Sequence, residues 1–176
     1  MIFTETKLQG AFVIEPERLE DERGFFARTW DREEFEAHGL NPHLAQCSIS
    51  FNKWKGTLRG MHYQAAPHEE AKLVRCTRGA IYDVILDLRP SSPTYKRWVA
   101  VELKAKTHRM LYVPEGFAHG FQTLKDESEV FYQISEFYHP ESGRGVRWDD
   151  PAFDIRWPEG RSVISHRDAG YPDYSR

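Results

Sequence analysis

The segment at 56–64, which reads GTLRGMHYQ, contains an arginine and a histidine that could act together, Arg59 and His62. Lys72 opens the apolar run KLVRC that follows. If this run is a β-strand, Lys72 shares a face with the valine and the cysteine of the run, where an ammonium group needs an anionic partner or ligand to offset the cost of its burial. One titratable base beside fixed cations suits a reaction that removes a proton while negative charge develops on a nearby oxygen.

Tyr132 and Asp168 are two further candidates for proton transfer. Tyr132 lies in the middle of a predicted strand, where it is either a core residue or a proton donor that faces a cavity. Asp168 lies in the C-terminal segment ISHRD, and an aspartate in such a tail is usually a solvated charge. It gains a role only if the tail folds back to orient His62, as an acidic side chain orients a basic imidazole.

His119 ends a PxGxxH turn, PEGFAH at 114–119, which resembles the second sequence motif of the cupin superfamily, where the histidine often binds a metal. The first cupin motif normally supplies HxH, whereas this chain reads HYQ at 62–64. A metal site needs three or four convergent ligands. We therefore expect no bound metal, and a metal-dependent cupin enzyme that uses His62, His68 and His119 is kept as an alternative.

Short apolar segments between turn residues must position these side chains. One helix is predicted at about 31–38, with Asp31 as N-cap, Glu34 completing a capping box and Gly39 closing the helix. From residue 44 onward the pattern predicts strands only. In the strand at 80–88, Asp83 and Asp87 fall opposite the apolar residues, which is typical of a half-buried antiparallel strand. The segments 120–124 and 129–137 read as a hairpin. A turn at 21–26 leads into a strand that ends near Trp30. The other predicted strands lie at 11–14, at 45–51, at 57–64, at 72–76, at 98–103 and at 109–113.

About ten short strands with one or two short helices predict an all-β fold, a cupin-type jelly-roll double-sheet sandwich whose interior can hold a ligand. The length of 176 residues indicates a single domain spanning 1–176.

A net charge of −3 with mixed signs argues against a nucleic-acid-binding protein. No apolar run approaches the roughly 18 residues of a membrane span. The N-terminus MIFTETKLQG lacks the features of a signal peptide, so Cys47 and Cys76 are expected to be reduced thiols in the cytoplasm.

Six motifs and one tyrosine, taken in order, resemble those of the dTDP-4-dehydrorhamnose 3,5-epimerases, the RmlC-like cupins, over nearly the whole chain. The motifs are DERGFF at 21–26, LRGMHYQ at 58–64, KLV at 72–74, VPEGFAHGF at 113–121, WDDP at 148–151 and SHRD at 165–168, and the tyrosine is Tyr132.

This resemblance implies a homodimeric isomerase without cofactors that epimerises C3 and C5 of a nucleotide-linked 4-keto-6-deoxyhexose, converting dTDP-4-dehydro-6-deoxy-D-glucose to dTDP-4-dehydro-L-rhamnose. His62 would be the general base, Asp168 would orient it, Tyr132 would return a proton from the opposite side, and Lys72 would stabilise the enolate oxygen. In the implied homodimer, a strand and an N-terminal segment are exchanged near the site. The implied substrate-binding residues are Arg23, Phe26, Arg28, Gln46, Ser48, Arg59, His119, Tyr138 and Arg167.

Two residues of this set depart from the family pattern. Arg28 stands where many members have glutamate, and Ser48 where many have asparagine. Replacing a carboxylate with a guanidinium reverses the local charge, so the substrate is less constrained than the reaction type. The alternatives are a mono-epimerase acting at C3 or C5 of a related nucleotide-linked 4-keto sugar and a non-catalytic sugar-nucleotide-binding protein.

Overall fold

The computed structural model of the protein describes residues 1–158, 160 and 163–174. Two antiparallel sheets dominate the fold, as the sequence pattern predicts. The strands are β1 (Ile2–Glu5), β2 (Phe12–Glu15), β3 (Arg18–Asp21), β4 (Gly24–Ala27), β5 (Gln46–Asn52), β6 (Leu58–Gln64), β7 (Lys72–Arg78), β8 (Ala80–Asp87), β9 (Trp98–Lys104), β10 (Met110–Val113), β11 (Phe117–Thr123), β12 (Ser128–Ile134) and β13 (Gly143–Gly145). The helices are α1 (Arg32–Ala37) and α2 (His166–Ala169), and a 3₁₀ turn spans Ala105–Thr107.

The larger sheet has six strands in the order β1-β2-β10-β7-β12-β5, and the second has five in the order β13-β6-β11-β8-β9. A separate two-stranded ribbon consists of β3 and β4. The interior is filled by apolar side chains from both sheets, including Val74, Ile85, Phe121 and Val130. This is the predicted all-β double-sheet sandwich, and its interior also holds the candidate site.

The prediction for β8 was wrong in one respect, because the strand is buried on both faces. Asp83 and Asp87 lie on the inner face and are completely buried. Asp83 is 2.7 Å from His119 Nε2, and Asp87 accepts hydrogen bonds from Arg89 and from two hydroxyl groups near it. A buried carboxylate is tolerated when such partners are present, and an alternation of polar and apolar residues cannot reveal them.

The predicted hairpin between 120–124 and 129–137 was also wrong. β11 pairs with β6 and β8 in the five-stranded sheet, whereas β12 pairs with β5 and β7 in the six-stranded sheet. The connection between β11 and β12 therefore crosses from one sheet to the other. This crossing places consecutive strands on opposite walls of the interior.

The helix prediction was right for the position of α1 and for Asp31 as its N-cap, but incomplete for the rest of the chain. Glu34 does not complete a capping box, because its carboxylate is paired with the N-terminal ammonium group of Met1 at 2.8 Å. The side chain of Asp31 accepts a hydrogen bond from the Glu34 backbone N–H at 3.1 Å, and Phe35 packs against the outer face of the six-stranded sheet. The 3₁₀ turn and α2 were not predicted. Ser165 is the N-cap of α2 and accepts from the backbone N–H of Asp168. Within the described residues, no helix is long and apolar enough to cross a bilayer.

Candidate active site

A cavity of about 400 Å³ lies between the two sheets. Its lining combines cationic, anionic, phenolic and imidazole side chains with a few apolar ones. The lining residues are Gln46, Ser48, Ser50, Arg59, His62, Glu70, Lys72, His119, Gly120, Phe121, Tyr132, Ile134 and Tyr138.

The wall formed by the six-stranded sheet follows simple strand alternation. Tyr132 lies opposite Ser48 on one neighbouring strand and opposite Val74 on the other. Lys72 lies opposite Ile134, two positions along β12. Residues that face each other in antiparallel strands point to the same side of the sheet, so all of these side chains point inward. The predicted inward orientation of Lys72 is confirmed.

The wall formed by the five-stranded sheet depends on a break in alternation. His62 lies opposite His119 and Arg59 lies opposite Phe121, so two residues of β6 face a single residue of β11 between these pairs. This β-bulge brings Arg59 and His62 to the same side, although residues three apart in a regular strand point to opposite faces. The bulge begins at Gly60, whose φ of +126° strongly favours glycine.

His62 forms a pair with Asp168, because the C-terminal segment folds back over β6. His62 Nε2 is 2.8 Å from Asp168 Oδ1, and the backbone N–H of Gly60 donates to the other carboxylate oxygen at 3.2 Å. Since an ionised carboxylate can only accept, the proton resides on Nε2 and leaves the lone pair of Nδ1 as the basic position. Burial alone would raise the pKa of Asp168. The hydrogen bond from His62, the charge that His62 carries in its imidazolium form, and the donors at Gly60 and Ser165 together hold that pKa below its ordinary value.

Tyr132 projects into the cavity from the opposite sheet. Burial is the main reason that the pKa of its hydroxyl is strongly raised, and the charge of Asp83 raises it further. A hydrogen bond with Ser50 and the charge of Arg59 act in the other direction and are outweighed. The phenol therefore stays protonated at neutral pH and is able to donate a proton.

His119 has its own carboxylate partner, Asp83, at 2.7 Å from Nε2. Both side chains are buried, and the ring of His119 packs edge-on against Tyr132 with centroids 6.1 Å apart. The other oxygen of Asp83 is buried and has no hydrogen-bond partner within the described part of the chain. Asp83 was not predicted as a site residue, because its place in the alternating pattern is that of a solvent-facing strand residue.

Lys72 is paired with Glu70, whose Oε1 is 2.9 Å from the lysine Nζ. Both side chains are almost completely buried, and both line the cavity. This pairing meets the requirement for an anionic partner that follows from the position of Lys72 on an inward face. Glu70 was not predicted as a site residue either, although it lies two positions before Lys72, a spacing that places both side chains on one face of an extended segment.

Tyr138 lines this cavity, whereas Arg167 lies beside it. The backbone N–H of Tyr138 donates to the side chain of Gln46 at 2.8 Å, which anchors the segment after β12. Arg167 precedes Asp168 in α2, and its Nε donates to the hydroxyl of Tyr171 at 3.0 Å. Arg167 and Tyr138 line a smaller neighbouring cavity of about 260 Å³ that also includes His62.

Three of the expected substrate-binding residues line neither of these two cavities within one chain. The ribbon of β3 and β4 contains Phe26 in β4 and Arg23 in the turn between its strands, and Arg28 directly follows it. Arg23 is paired with Asp21 and is 85% exposed, and Arg28 is 3.2 Å from Asp31. Phe26 and Arg28 instead line a separate surface cavity.

The three histidines of the metal-dependent alternative do not converge. His62 and His119 are each bonded to a carboxylate, whereas the ring of His68 stacks on His139 with centroids 3.5 Å apart. Among the residues that the structure describes, the group with metal-like spacing is His68, His139 and Glu141. Its two rings are parallel within 5°, so one ion cannot lie in both ring planes without rotation of a ring.

Comparisons with known proteins give a consistent result. The dTDP-4-dehydrorhamnose 3,5-epimerase family profile matches residues 5–176. The epimerase of that name from Shigella flexneri is 42% identical over 164 residues, which cover 93% of this chain and 90% of the relative. The crystal structure of the enzyme from Elizabethkingia anophelis NUHP1 superposes with a TM-score of 0.96 at 37% identity, covering 99% of this chain and 96% of that one.

A third similar protein was solved with a ligand. The dTDP-6-deoxy-D-glucose-3,5-epimerase from Legionella pneumophila Philadelphia 1, in complex with dTDP-4-keto-L-rhamnose, has a TM-score of 0.89 and 34% identity, covering 99% of each chain. The match spans both sheets and the C-terminal segment that carries Asp168. The chain therefore belongs to the dTDP-4-dehydrorhamnose 3,5-epimerase family.

Proposed function

We propose that this protein epimerises C3 and C5 of a nucleotide-linked 4-keto-6-deoxyhexose, converting dTDP-4-dehydro-6-deoxy-D-glucose to dTDP-4-dehydro-L-rhamnose. The observation that carries the proposal is the placement of a base and an acid on opposite walls of one cavity. His62 projects from the five-stranded sheet and Tyr132 from the six-stranded sheet. A sugar ring held between them can lose a proton from one face and receive a proton on the other, which inverts the carbon.

The chemistry requires only proton transfers. Nδ1 of His62 takes the proton from C3 or C5, and the electron pair of the broken C–H bond moves toward the C4 oxygen to give an enolate. Lys72 donates a hydrogen bond to that oxygen, and Tyr132 gives its proton to the carbon from the opposite side. Proton exchange with water then restores both side chains. A positioned acid or base of this kind contributes about 10²–10⁴-fold to the rate.

Arg59 is the residue that we assign to the diphosphate. Its Nε donates to Asn52 Oδ1 at 2.7 Å, which fixes the guanidinium at the cavity wall. The planar guanidinium is suited to bidentate contact with phosphate oxygens. Gln46, Ser48 and Tyr138, which line the same cavity, are proposed to contact the nucleoside.

We further propose a cytoplasmic, single-domain protein that forms a homodimer in which the ribbon of one chain reaches the cavity of the other. The ribbon exposes a pair of facing apolar side chains, Leu19 at 70% and Phe26 at 68%. Isolated two-stranded ribbons are marginally stable, and exposed apolar patches mark interaction surfaces. In such a dimer, Arg23, Phe26 and Arg28 would contact the substrate bound to the partner.

Incubation with the 4-keto substrate in deuterated water tests the reaction. Label should enter both C3 and C5, and the product should have the L configuration at C5. A His62→Ala variant that still binds dTDP should incorporate no label above background. Absence of label with every 4-keto nucleotide sugar tried would contradict the proposal and favour a non-catalytic binding protein.

Mono-epimerisation is the second candidate, and the departures at Arg28 and Ser48 favour it. Ser48 lines the cavity, so a shorter side chain than the usual asparagine changes the space around the substrate. Label at a single carbon would establish this candidate.

A thermal-shift comparison of dTDP, CDP, GDP and UDP would identify the preferred nucleotide, because a ligand that binds only the native state raises its melting temperature. Activity that is lost on chelation and restored by a divalent metal would favour the metal-dependent alternative.

A further inference from the structure

Glu70 is a buried acidic residue in the cavity to which the proposed reaction assigns no role. It lies in the loop between β6 and β7, and its carboxylate is 2.9 Å from the Lys72 ammonium. The side chains of Glu70 and Lys72 are only 11% and 10% exposed. A buried ion pair adds little net stability on average, because desolvation of both charges offsets their attraction. The reason for a carboxylate at this position must therefore be sought in the cavity.

The backbone on both sides of Glu70 is held by hydrogen bonds. The carbonyl oxygen of His68 accepts from the side chain of Gln64 at 3.0 Å, and the backbone N–H of Ala71 donates to Ser135 Oγ at 2.8 Å. A second bond, from the backbone N–H of Ser135 to the carbonyl of Ala71, ties the loop to the end of β12. The carboxylate is thus presented from an anchored segment and is not carried by a free loop.

Three side chains in this cavity that could move or stabilise charge each have one acidic partner. His62 is paired with Asp168, His119 with Asp83, and Lys72 with Glu70. Arg59 differs, because its Nε donates to the neutral side chain of Asn52. This distribution leaves Arg59 as the cation best suited to the diphosphate, while the charge of Lys72 is offset until negative charge develops on the sugar.

We infer that Glu70 is a positioning residue that holds the Lys72 ammonium in place for the C4 oxygen of the substrate. The inference rests on the proposed function. A lysine has a flexible four-carbon stem, and one hydrogen bond to a fixed carboxylate restricts where the nitrogen lies. An ammonium has three N–H donors, so two remain for the developing enolate oxygen. Pre-organisation of this kind matters most in the transition state, where the oxygen carries its largest charge.

The decisive variant is Glu70→Gln, which keeps the shape of the side chain and removes its charge. We expect kcat to fall about 10- to 100-fold, the range for losing a hydrogen bond to a charged group. KM and the dissociation constant for dTDP, which lacks the sugar, should change less than about threefold. Glu69→Gln in the same loop is the matched control, since Glu69 is exposed and lines neither cavity that contains Glu70.

A double-mutant cycle separates positioning from a structural role. In a Lys72→Met background, the change Glu70→Gln should cause no further loss of kcat, because its effect passes through Lys72. This double variant has no unpaired buried charge, so it also provides the comparison if the single variant folds poorly. Equal losses in both backgrounds, or wild-type kcat in Glu70→Gln, would overturn the role of Glu70. Absence of label exchange in the wild-type protein would instead contradict the proposed function itself.

Discussion

Asp168 determines which form of the His62 imidazole faces the cavity. Its carboxylate accepts from Nε2 and from the backbone N–H of Gly60, and the backbone N–H of Asp168 donates to the helix N-cap Ser165. The proposed base is therefore Nδ1, and its position follows from an acidic residue more than one hundred positions away in the chain. Two predictions arise at this scale.

The first prediction concerns catalysis by an Asp168→Asn variant. An amide can donate as well as accept, so it can stabilise the imidazole tautomer that carries its proton on Nδ1. We expect kcat to fall about 10³- to 10⁴-fold, because a catalytic histidine loses activity on this scale when the carboxylate that sets its tautomer is replaced by an amide. The affinity for dTDP should be nearly unchanged. Steady-state kinetics and calorimetry would measure both quantities. Asp173→Asn, at an exposed position near the C-terminus, is the control and should behave as the wild type.

The second prediction concerns the pH dependence of stability. The folded-state pKa of Asp168 lies below its ordinary value of 3.8, so the ionised carboxylate stabilises the fold above that pH. This contribution is lost as the pH falls through the folded-state pKa. The difference in unfolding free energy between the wild type and Asp168→Asn should therefore shrink between about pH 5 and pH 2. Denaturant titrations across this range test it, and a difference that stays constant to the acid end would contradict it.

At the scale of elements, the bulge in β6 is what makes the five-stranded sheet a catalytic wall. The strands β6 and β11 approach each other closely at the bulge, where each has a glycine, Gly60 in β6 and Gly120 in β11. A Cβ at Gly60 would lie 2.5 Å from the Cα of Gly120, and a Cβ at Gly120 would lie 2.7 Å from the carbonyl oxygen of Arg59. Neither position has room for a side chain. Glycine is therefore needed at both positions to keep the bulge that points Arg59 and His62 to the same side.

The third prediction is that Gly60→Ala destabilises the protein by about 2–4 kcal/mol, since it combines an unfavourable φ with a backbone clash. Gly24→Ala is a matched control, because Gly24 has a similar φ of +130° but no atom within 4 Å of the added Cβ. The control should lose only about 1 kcal/mol from backbone strain. Chemical denaturation of both variants measures the difference. Equal losses would show that the close approach of β6 and β11 contributes nothing.

At the scale of the whole molecule, the cavity within one chain is incomplete relative to the set of residues expected from the family. Arg23 and Phe26 belong to the ribbon and Arg28 directly follows it, and all three lie away from the cavity. The strand β5 is an edge of its sheet and exposes Ile49 and Phe51 on its outer side. Both features favour the proposed homodimer.

The fourth prediction is that Leu19→Glu produces a monomer with strongly reduced activity. A charge in the apolar pair formed with Phe26 would oppose burial of the ribbon in an interface, because a desolvated carboxylate needs a partner. Sedimentation at micromolar concentration should give the dimer mass for the wild type and the monomer mass for the variant. Arg156→Glu, at an exposed position in the C-terminal segment, should leave the mass unchanged. A monomeric, fully active wild type would contradict the proposed role of the ribbon.

The sequence by itself determined the class of fold and most of the lining of the cavity. Alternation predicted that Lys72 faces inward, and the capping pattern at Asp31 predicted α1, because both signals depend on residues close together in the chain. The motifs around His62 and His119 indicated the family before any fold was available.

Only the tertiary structure decided how the chemical groups are paired. Asp83 has the pattern of a solvent-facing residue, yet it is buried and bonded to His119, which lies 36 positions away in the chain. Arg59 and His62 share a face because of a bulge that depends on the contact between Gly60 and Gly120. Asp168 meets His62 because the tail folds back, and β11 and β12 separate into different sheets. These results depend on contacts between segments far apart in the chain, which no local periodicity encodes.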